Sequence, residues 1–269
     1  MKVGVVGCGA IGSEICRAID RGIEGVELVA LYDRNLELAR SLSSSLGCMP
    51  PVVTIDDMIP AVELVVESAS QGAVRDIVPQ VLARGKSVLV MSGGALTDEK
   101  LREKLVRIAR ENGCKLYMPS GAIAGLDGLK AASVSRIDSV TLITSKPPAA
   151  LAGAPYLEER GIDVESIREP KTLYEGDAAS AVRAFPANVN VAAALSLAGI
   201  GTANTKVRVV ADPTLRRNVH EIQVNGEFGT LYVKVENVPS PSNPKTSYLA
   251  ALSAIATLKR IAQPLQIGT

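Results

Sequence analysis

Short apolar runs alternate with amphipathic segments along the first 125 residues of the chain. Runs rich in Val, Leu and Ile predict buried strands. They are Lys2–Val6, Glu27–Tyr32, Leu64–Ser68, Ser87–Met91 and Lys115–Met118. Helical spacing lies between them, as over Asp98–Glu111, for which Thr97 is the expected N-cap. This alternation predicts a parallel sheet with helices on both faces, and ligands at the carboxyl ends of its strands.

The hydrophobic pattern changes beyond about residue 125. Further strands are predicted at Ser139–Ser145, Lys206–Ala211, His220–Val224 and Thr230–Asn237, and helices at Ala178–Ala184 and Val189–Ala198. Asn225-Gly226 lies between the last two strands and predicts a hairpin turn, because both residues tolerate a positive φ. These elements favour an α+β domain over residues 126–240 with a mostly antiparallel sheet, after an α/β domain over residues 1–125. A proline-rich linker then leads to a closing helix, 246–263, which can pack back on the first domain.

A glycine motif follows the first predicted strand. Gly7, Gly9 and Gly12 have the spacing G-x-G-x-x-G between a strand and a helix. Gly7 permits a tight turn, Gly9 lets the backbone approach a pyrophosphate, and Gly12 allows close packing of helix on strand. The helix begins at Ala10 and Ile11, so its N–H groups face the phosphates. The motif predicts a Rossmann dinucleotide-binding domain.

The residues after the second predicted strand bear on the choice of cofactor. Asp33 lies 21 positions beyond the last glycine of the motif, where an acid accepts hydrogen bonds from a ribose and favours NAD. Arg34 follows it and can lie beside a 2′-phosphate. The sequence therefore predicts NAD or NADP without deciding between them. Three polar, glycine-containing loops after later strands are either further ligand loops or ordinary turns: Ser68–Gly72, Ser92–Ala95 and Pro119–Ile123.

Composition limits the classes of partner. The chain has 269 residues, 47% of them hydrophobic, and a net charge of +1, which gives no electrostatic reason to expect nucleic acid or an acidic membrane surface. The longest uncharged stretch, 184–205, contains proline and asparagines and is too polar to span a membrane. Four cysteines without C-x-x-C spacing indicate reduced thiols and no metal site. We expect a cytoplasmic protein that binds small molecules.

Several polar residues are candidates for chemistry. His220 is the only histidine; on an apolar strand face it is either structural or the group that titrates near neutrality, with Asp212 available to orient it. Lys146 and Lys245 are candidate carboxylate ligands or solvated lysines. Two asparagines begin the long uncharged segment: Asn188 is an N-cap or a substrate ligand, and Asn190 can offer its amide to a ligand.

Motifs from end to end of the chain resemble those of the L-aspartate dehydrogenases. Besides the glycine motif they are Pro119–Ile123, Lys146-Pro147, Pro186–Ala193, Ala211–Pro213 with Asn218–His220, and Asn243–Ser247. The asparagine-rich and histidine motifs are much more particular than the glycine motif, which many dehydrogenases share.

The resemblance implies a homodimeric enzyme with its substrate and dimer contacts in the second domain. It implies oxidation of L-aspartate with NAD or NADP to iminoaspartate, which hydrolyses to oxaloacetate and ammonia or feeds NAD biosynthesis. The residue matching His220 is catalytic in that family, and those matching Ala122 and Asn190 contact the cofactor. Our hypothesis makes His220 the general base that activates water, or a donor to a substrate carboxylate. A homoserine-type dehydrogenase and a non-catalytic NAD-binding sensor stay open as alternatives.

Overall fold

A computed structural model describes residues 1–185, 189–240 and 243–268, and excludes the side chains of residues 189 and 243–245. In this structure the chain forms two compact units. Met1–Gly121 and Ala250–Ile267 make the first unit, and the second is built from Ala122–Leu249. Within the described residues, no helix is long and apolar enough to cross a membrane.

The first unit contains a five-stranded parallel sheet in the order β2-β1-β3-β4-β5. Its elements in chain order are β1 (Lys2–Val6), α1 (Ala10–Asp20), β2 (Glu27–Tyr32), α2 (Leu36–Ser44), α3 (Ile55–Ala61), β3 (Leu64–Glu67), α4 (Gln71–Ala83), β4 (Ser87–Val90), a 3₁₀ turn (Gly93–Thr97), α5 (Glu99–Glu111) and β5 (Leu116–Tyr117). The predicted α/β fold of the Rossmann type is confirmed. The first two strands have the predicted bounds, because buried Val and Leu fill them on both faces.

The second unit contains a mixed five-stranded sheet in the order β10-β9-β6-β8-β7. The elements are α6 (Leu126–Ala132), β6 (Ile137–Lys146), a 3₁₀ turn (Pro148–Leu151), α7 (Pro155–Glu159), a 3₁₀ turn (Val164–Ser166), β7 (Lys171–Asp177), α8 (Ala178–Ala184), α9 (Val189–Ala198), β8 (Thr205–Ala211), β9 (Asn218–Gly226), β10 (Gly229–Asn237), β11 (Pro239–Ser240) and β12 (Asn243–Ser247). The last helix, α10 (Tyr248–Ala262), belongs to the first unit from Ala250 onward. Three of the four strand pairs in this sheet are antiparallel, and β6 and β8 are parallel. The predicted α+β character is confirmed, whereas β7 was not predicted.

The apolar core of the first unit includes residues from both ends of the chain. Ile15 of α1 and Leu31 of β2 are fully buried in this core, and Ala254 and Leu258 of α10 belong to the same cluster. The small and apolar side chains of α10 therefore stabilise the sheet that carries the glycine motif, although more than 200 residues separate them in sequence.

Two local predictions were wrong. Thr97 is not the N-cap of α5: its hydroxyl donates to the Gly94 carbonyl, and Asp98 accepts from the Leu101 N–H instead. The hairpin between β9 and β10 exists, but Asn225 and Gly226 belong to β9, and the loop is Glu227-Phe228. Gly226 is required for close approach rather than for a positive φ, because a Cβ there would lie 2.5 Å from the Arg136 carbonyl oxygen.

Candidate active site

The glycine motif forms a tight turn at the carboxyl end of β1. Gly7 has φ +95°, a conformation that side chains disfavour, and a Cβ there would lie 2.7 Å from the Ala69 nitrogen. A Cβ on Gly12 would lie 1.9 Å from the Gly7 carbonyl oxygen, so this glycine is needed for packing of α1 on the turn. Gly9 differs from both, because a Cβ there would meet no atom of the described residues within 4 Å. Packing within the chain therefore does not explain Gly9.

Helix α1 offers an anion site beside this turn. Gly9 is its N-cap and makes no side-chain capping bond, and the first turn contains no acidic residue. The first intrahelical hydrogen bond runs from Ser13 N to Gly9 O, which leaves the N–H groups of Ala10, Ile11 and Gly12 without intrahelical acceptors. These donors and the positive end of the helix dipole fit a pyrophosphate.

Asp33 is held next to the glycine turn. One carboxylate oxygen accepts from Cys8 N at 2.7 Å and the other accepts from Asn35 N at 2.8 Å. Each oxygen keeps a lone pair, so the carboxylate can still accept from a ribose hydroxyl. Arg34 is exposed, and its Nη2 lies 3.7 Å from Oδ2 of the exposed Asp76. Such an exposed ion pair contributes little to stability. Asp33 therefore fits the ribose of NAD, and Arg34 is available to the 2′-phosphate of NADP.

A buried carboxylate that the sequence reasoning missed organises the same edge of the sheet. Glu67 ends β3 and is fully buried. It accepts four hydrogen bonds, from the N–H groups of Ala69, Ser70 and Ser92 and from the Ser92 hydroxyl, all between 2.9 and 3.0 Å. Burial raises the pKa of Glu67, and these hydrogen bonds act in the opposite direction. Glu67 thus joins the two predicted polar loops that follow β3 and β4.

The second unit brings Lys146 and His220 together. Both lie on the buried face of the mixed sheet, Lys146 at the end of β6 and His220 in β9. Only 6% of Lys146 and 3% of His220 is exposed. Thr144 is directly opposite His220 in the β6–β9 register, and its hydroxyl oxygen is 3.1 Å from the ring Nδ1.

Lys146 has no partner for its charge among the described side chains: it forms neither a salt bridge nor a side-chain hydrogen bond. Burial lowers its pKa from 10.5 to about 8. Burial, and secondarily the charge of Lys146, lowers the pKa of His220 from 6.5 to about 3. A buried ammonium without a counterion is unfavourable, so this place is suited to an anion such as a carboxylate.

The remaining predicted site residues lie elsewhere or outside the description. Ala122 is at the start of the second unit, where its carbonyl accepts from the Asn237 amide at 3.0 Å. Asn190 is exposed in the first turn of α9. Asn188 and the side chain of Lys245 lie outside the described residues.

The orienting role foreseen for Asp212 was wrong. Its carboxylate accepts from the backbone N–H and the hydroxyl of Thr214. The partner of the His220 ring is Thr144 instead.

Comparison with known proteins identifies the family. A family model described as "Aspartate dehydrogenase, C-terminal" matches residues 127–261, and one described as "Homoserine dehydrogenase, NAD binding domain" matches residues 7–119. Over the full length of both chains, this chain is 60% identical to the L-aspartate dehydrogenase of Methanosarcina barkeri and 58% identical to that of Methanosarcina mazei. The chain belongs to the L-aspartate dehydrogenase family. The crystal structure of aspartate dehydrogenase from Thermotoga maritima superposes with a TM-score of 0.75 at 27% identity, covering 100% of this chain and 99% of that one.

Membership of the L-aspartate dehydrogenase family resolves the principal alternative. The match to a homoserine dehydrogenase domain is confined to the dinucleotide-binding region, whereas the region holding Lys146 and His220 matches aspartate dehydrogenases. The predicted family and oxidoreductase class are confirmed, as is an NAD-binding domain. The comparisons leave the choice between NAD and NADP open.

The sequence reasoning missed two residues of these sites in this member of the L-aspartate dehydrogenase family, and only one of them carried a signal in the sequence. Glu67 is an acid at the end of the apolar run Leu-Val-Val-Glu, a position that burial makes unfavourable unless donors surround it. Thr144 carried no comparable pattern. Its place opposite His220 depends on the register of two strands that are 76 residues apart.

Proposed function

We propose that this chain catalyses the reversible NAD(P)-dependent oxidative deamination of L-aspartate. The product is iminoaspartate, which hydrolyses to oxaloacetate and ammonia. The observation that carries the proposal is the buried Lys146, which lacks a carboxylate partner among the described residues and shares a buried sheet face with the one histidine. Aspartate has two carboxylates, and a desolvated ammonium is a strong partner for one of them.

The cofactor is held by the first unit in this proposal. The N–H groups of Ala10, Ile11 and Gly12 bind the pyrophosphate, Gly7 and Gly9 shape the turn, and Asp33 accepts from the ribose, with Arg34 beside it. A nicotinamide bound there would supply the acceptor for the hydride that leaves Cα of aspartate, while the amino group would release a proton as the C=N bond forms. Ala122 and Asn190 are proposed cofactor contacts on the basis of the resemblance.

The substrate is held by the second unit. Lys146 binds one carboxylate, and Asn188 and Lys245 are proposed as further substrate ligands. His220 is the proposed catalytic residue, and burial keeps its ring neutral at neutral pH, since its pKa is lowered to about 3. A neutral ring has two possible roles: general base toward the water that attacks the imine, or hydrogen-bond donor to a substrate carboxylate. In the basic role, the negative charge of bound aspartate would raise the pKa of the ring.

The deciding experiment follows reduced nicotinamide by absorbance when the protein is mixed with NAD or NADP and L-aspartate, with D-aspartate and L-homoserine as controls. We expect turnover with L-aspartate alone. Turnover with homoserine would support a homoserine-type dehydrogenase, and tight NAD binding without any turnover would support a sensor.

Replacing His220 with Ala should lower kcat/KM for aspartate by roughly 100-fold or more, within the range for a general acid or base. A value within a few-fold of the parent would contradict its catalytic role.

Two finer proposals rest on the resemblance. We propose that the protein is a homodimer and that its iminoaspartate supplies NAD biosynthesis in the cytoplasm. Size-exclusion chromatography with light scattering tests the first, with a mass near 28 kDa as the contradicting result. For the second, the chain should support growth of a bacterial strain that lacks its own iminoaspartate-forming enzyme, and failure by an expressed, active protein would contradict it.

A further inference from the structure

The contact between Thr144 and His220 contains information about the proton on the histidine ring. The two residues are a direct cross-strand pair, and both are buried, with 1% and 3% of their surface exposed. Their hydroxyl oxygen and Nδ1 are 3.1 Å apart, a hydrogen-bond distance. Because both groups are withdrawn from water, the hydrogen bond must place one hydrogen between them with a definite donor and acceptor.

Two arrangements are possible, and they are not equally satisfied. A neutral imidazole has one N–H and one lone pair, and a hydroxyl has one hydrogen to donate. If Nδ1 carried the hydrogen and donated to Thr144, the hydroxyl hydrogen would need a second acceptor. In the described part of the chain, Nδ1 of His220 is the only hydrogen-bond partner of this hydroxyl. A buried donor left without an acceptor is unfavourable. When Thr144 donates instead, the donor that lacks an acceptor within the described residues is Nε2–H, and a bound carboxylate can accept from it. In a site that takes an anion, the arrangement in which Thr144 donates is therefore preferred.

We infer that the Thr144 hydroxyl donates to Nδ1 of His220 and fixes the ring as the Nε2–H tautomer, which presents an N–H to the substrate. Thr144 is thus a positioning residue that acts through His220. This inference rests on the proposed function for the identity of the substrate, but the tautomer itself can be measured without it. The consequence is a choice between the two roles of the ring. A histidine with hydrogen on Nε2 donates to a substrate carboxylate and offers no lone pair there for a base.

The surroundings of the ring keep it neutral, as this assignment requires. Lys146 is the charged group that acts on His220, and its positive charge opposes the addition of a second proton to the ring. Donors of two kinds, an ammonium and a neutral N–H, then lie on one buried face. Such a set of hydrogen-bond donors recognises a carboxylate.

Nitrogen-15 NMR reads the tautomer directly, because His220 is the only histidine in the chain and needs no assignment. The full-length protein is labelled with ring-¹⁵N histidine, and its two-bond ¹H–¹⁵N spectrum is recorded near pH 7 without ligand. Protonated and unprotonated ring nitrogens differ widely in chemical shift. We expect a protonated Nε2 and an unprotonated, hydrogen-bonded Nδ1. A spectrum with the hydrogen on Nδ1 would overturn the inference.

Substitution separates the hydroxyl from the volume of the side chain. Thr144→Val is nearly isosteric and suits a strand, while Thr144→Ser keeps the hydroxyl. We expect a mixture of tautomers in T144V, and about a tenfold lower kcat for aspartate with KM for NAD unchanged. T144S should retain the single tautomer and a kcat within about threefold of the parent. Thr141→Val is the matched control, on β6 but on its other face opposite Gln223, and should change neither readout.

The outcomes separate this inference from the proposed function. The expected tautomer without aspartate turnover would leave the tautomer assignment standing and contradict the proposed function. Aspartate turnover with the Nδ1–H tautomer would do the reverse. An unchanged single tautomer in T144V would also overturn the role of Thr144, whatever its activity.

Discussion

Replacing Lys146 with Met should stabilise the ligand-free protein. Only 6% of the lysine is exposed, and none of the described side chains neutralises its charge. Methionine has a similar length and no charge, and its flexible side chain fills irregular space. Substituting an uncompensated buried charge with an apolar residue of similar volume removes a desolvation penalty.

The size of the effect follows from the pKa of the lysine. Burial lowers it from 10.5 to about 8, which corresponds to about 3 kcal/mol at about 1.4 kcal/mol for each pKa unit. Below pH 8 the ammonium is charged in both states, so the folded protein bears the full penalty. Between pH 8 and 10.5 the folded state releases its proton first, the unfolded state binds more protons, and stability rises with pH. The advantage of Lys146→Met should therefore be about 3 kcal/mol at pH 7 and disappear near pH 10.5.

The assay is equilibrium unfolding in urea, followed by circular dichroism at pH 7, 8.5 and 10. Lys206→Met, at an exposed position of the neighbouring strand β8, is the matched control and should change the free energy of unfolding at pH 7 by less than about 0.5 kcal/mol. The stabilised K146M variant should bind aspartate poorly, with KM raised roughly 10- to 100-fold, as expected for a lost charge-assisted hydrogen bond. A stability difference that does not change with pH, or a K146M variant less stable than the parent at pH 7, would refute the reasoning.

Four further substitutions test other parts of the structure. Gly9→Ala should leave Tm unchanged, because its methyl group meets no atom of the described residues within 4 Å, and it should weaken NAD binding at least tenfold in a fluorescence titration. Gly12→Ala should lower Tm, because its Cβ would lie 1.9 Å from a carbonyl oxygen. His220→Asn should make the protein more resistant to unfolding by acid, because the pKa of His220 is about 3 in the folded state and 6.5 in the unfolded state. From pH 6 to 4 the parent should lose about 1.4 kcal/mol of unfolding free energy per pH unit relative to the variant, as measured by urea unfolding. Equal losses in the two proteins would contradict this. Glu67→Gln places an amide NH₂ against the backbone N–H of Ser92, and it should lower the free energy of unfolding in urea by about 1–3 kcal/mol. An unchanged free energy of unfolding would show that a carboxylate is not needed at this position.

The sequence predicted those features that depend on neighbouring residues. Strands β1 and β2 and helices α8 and α9 have the predicted bounds, because apolar periodicity and local turn chemistry determine them. The glycine turn was also predictable, since the spacing of its three glycines is itself the geometric requirement. Local reasoning was wrong where two residues compete for one role. Asp98 and Thr97 are both good N-caps, and the 3₁₀ turn that ends at Thr97 decides between them.

Features that depend on strand register could not be predicted. Gly226 appeared to be a turn residue, but the approach of the Arg136 backbone, 90 positions earlier, explains it. In the same way, His220 and Lys146 were identified separately as candidates, whereas their shared face and the contact with Thr144 arise only when β9 pairs with β6. Periodicity assigns a residue to a face but does not give its cross-strand partner.

Each unit has a buried ionisable group, Glu67 in the first and Lys146 in the second, and the two differ in whether the chain supplies hydrogen-bond partners. This difference distinguishes a structural group from a group that binds a ligand. Glu67 is surrounded by four donors, which offset part of the cost of its burial and hold two loops in place, although burial still leaves its pKa raised. Lys146 is almost as deeply buried and has no such partner among the described residues. Replacing Glu67 with Gln leaves one of these buried donors without an acceptor, whereas replacing Lys146 with Met leaves none, so the two substitutions should have opposite effects, with E67Q less stable than the parent and K146M more stable. The parent retains at Lys146 a charge that its fold does not need, which is the physical reason to assign that charge to a ligand.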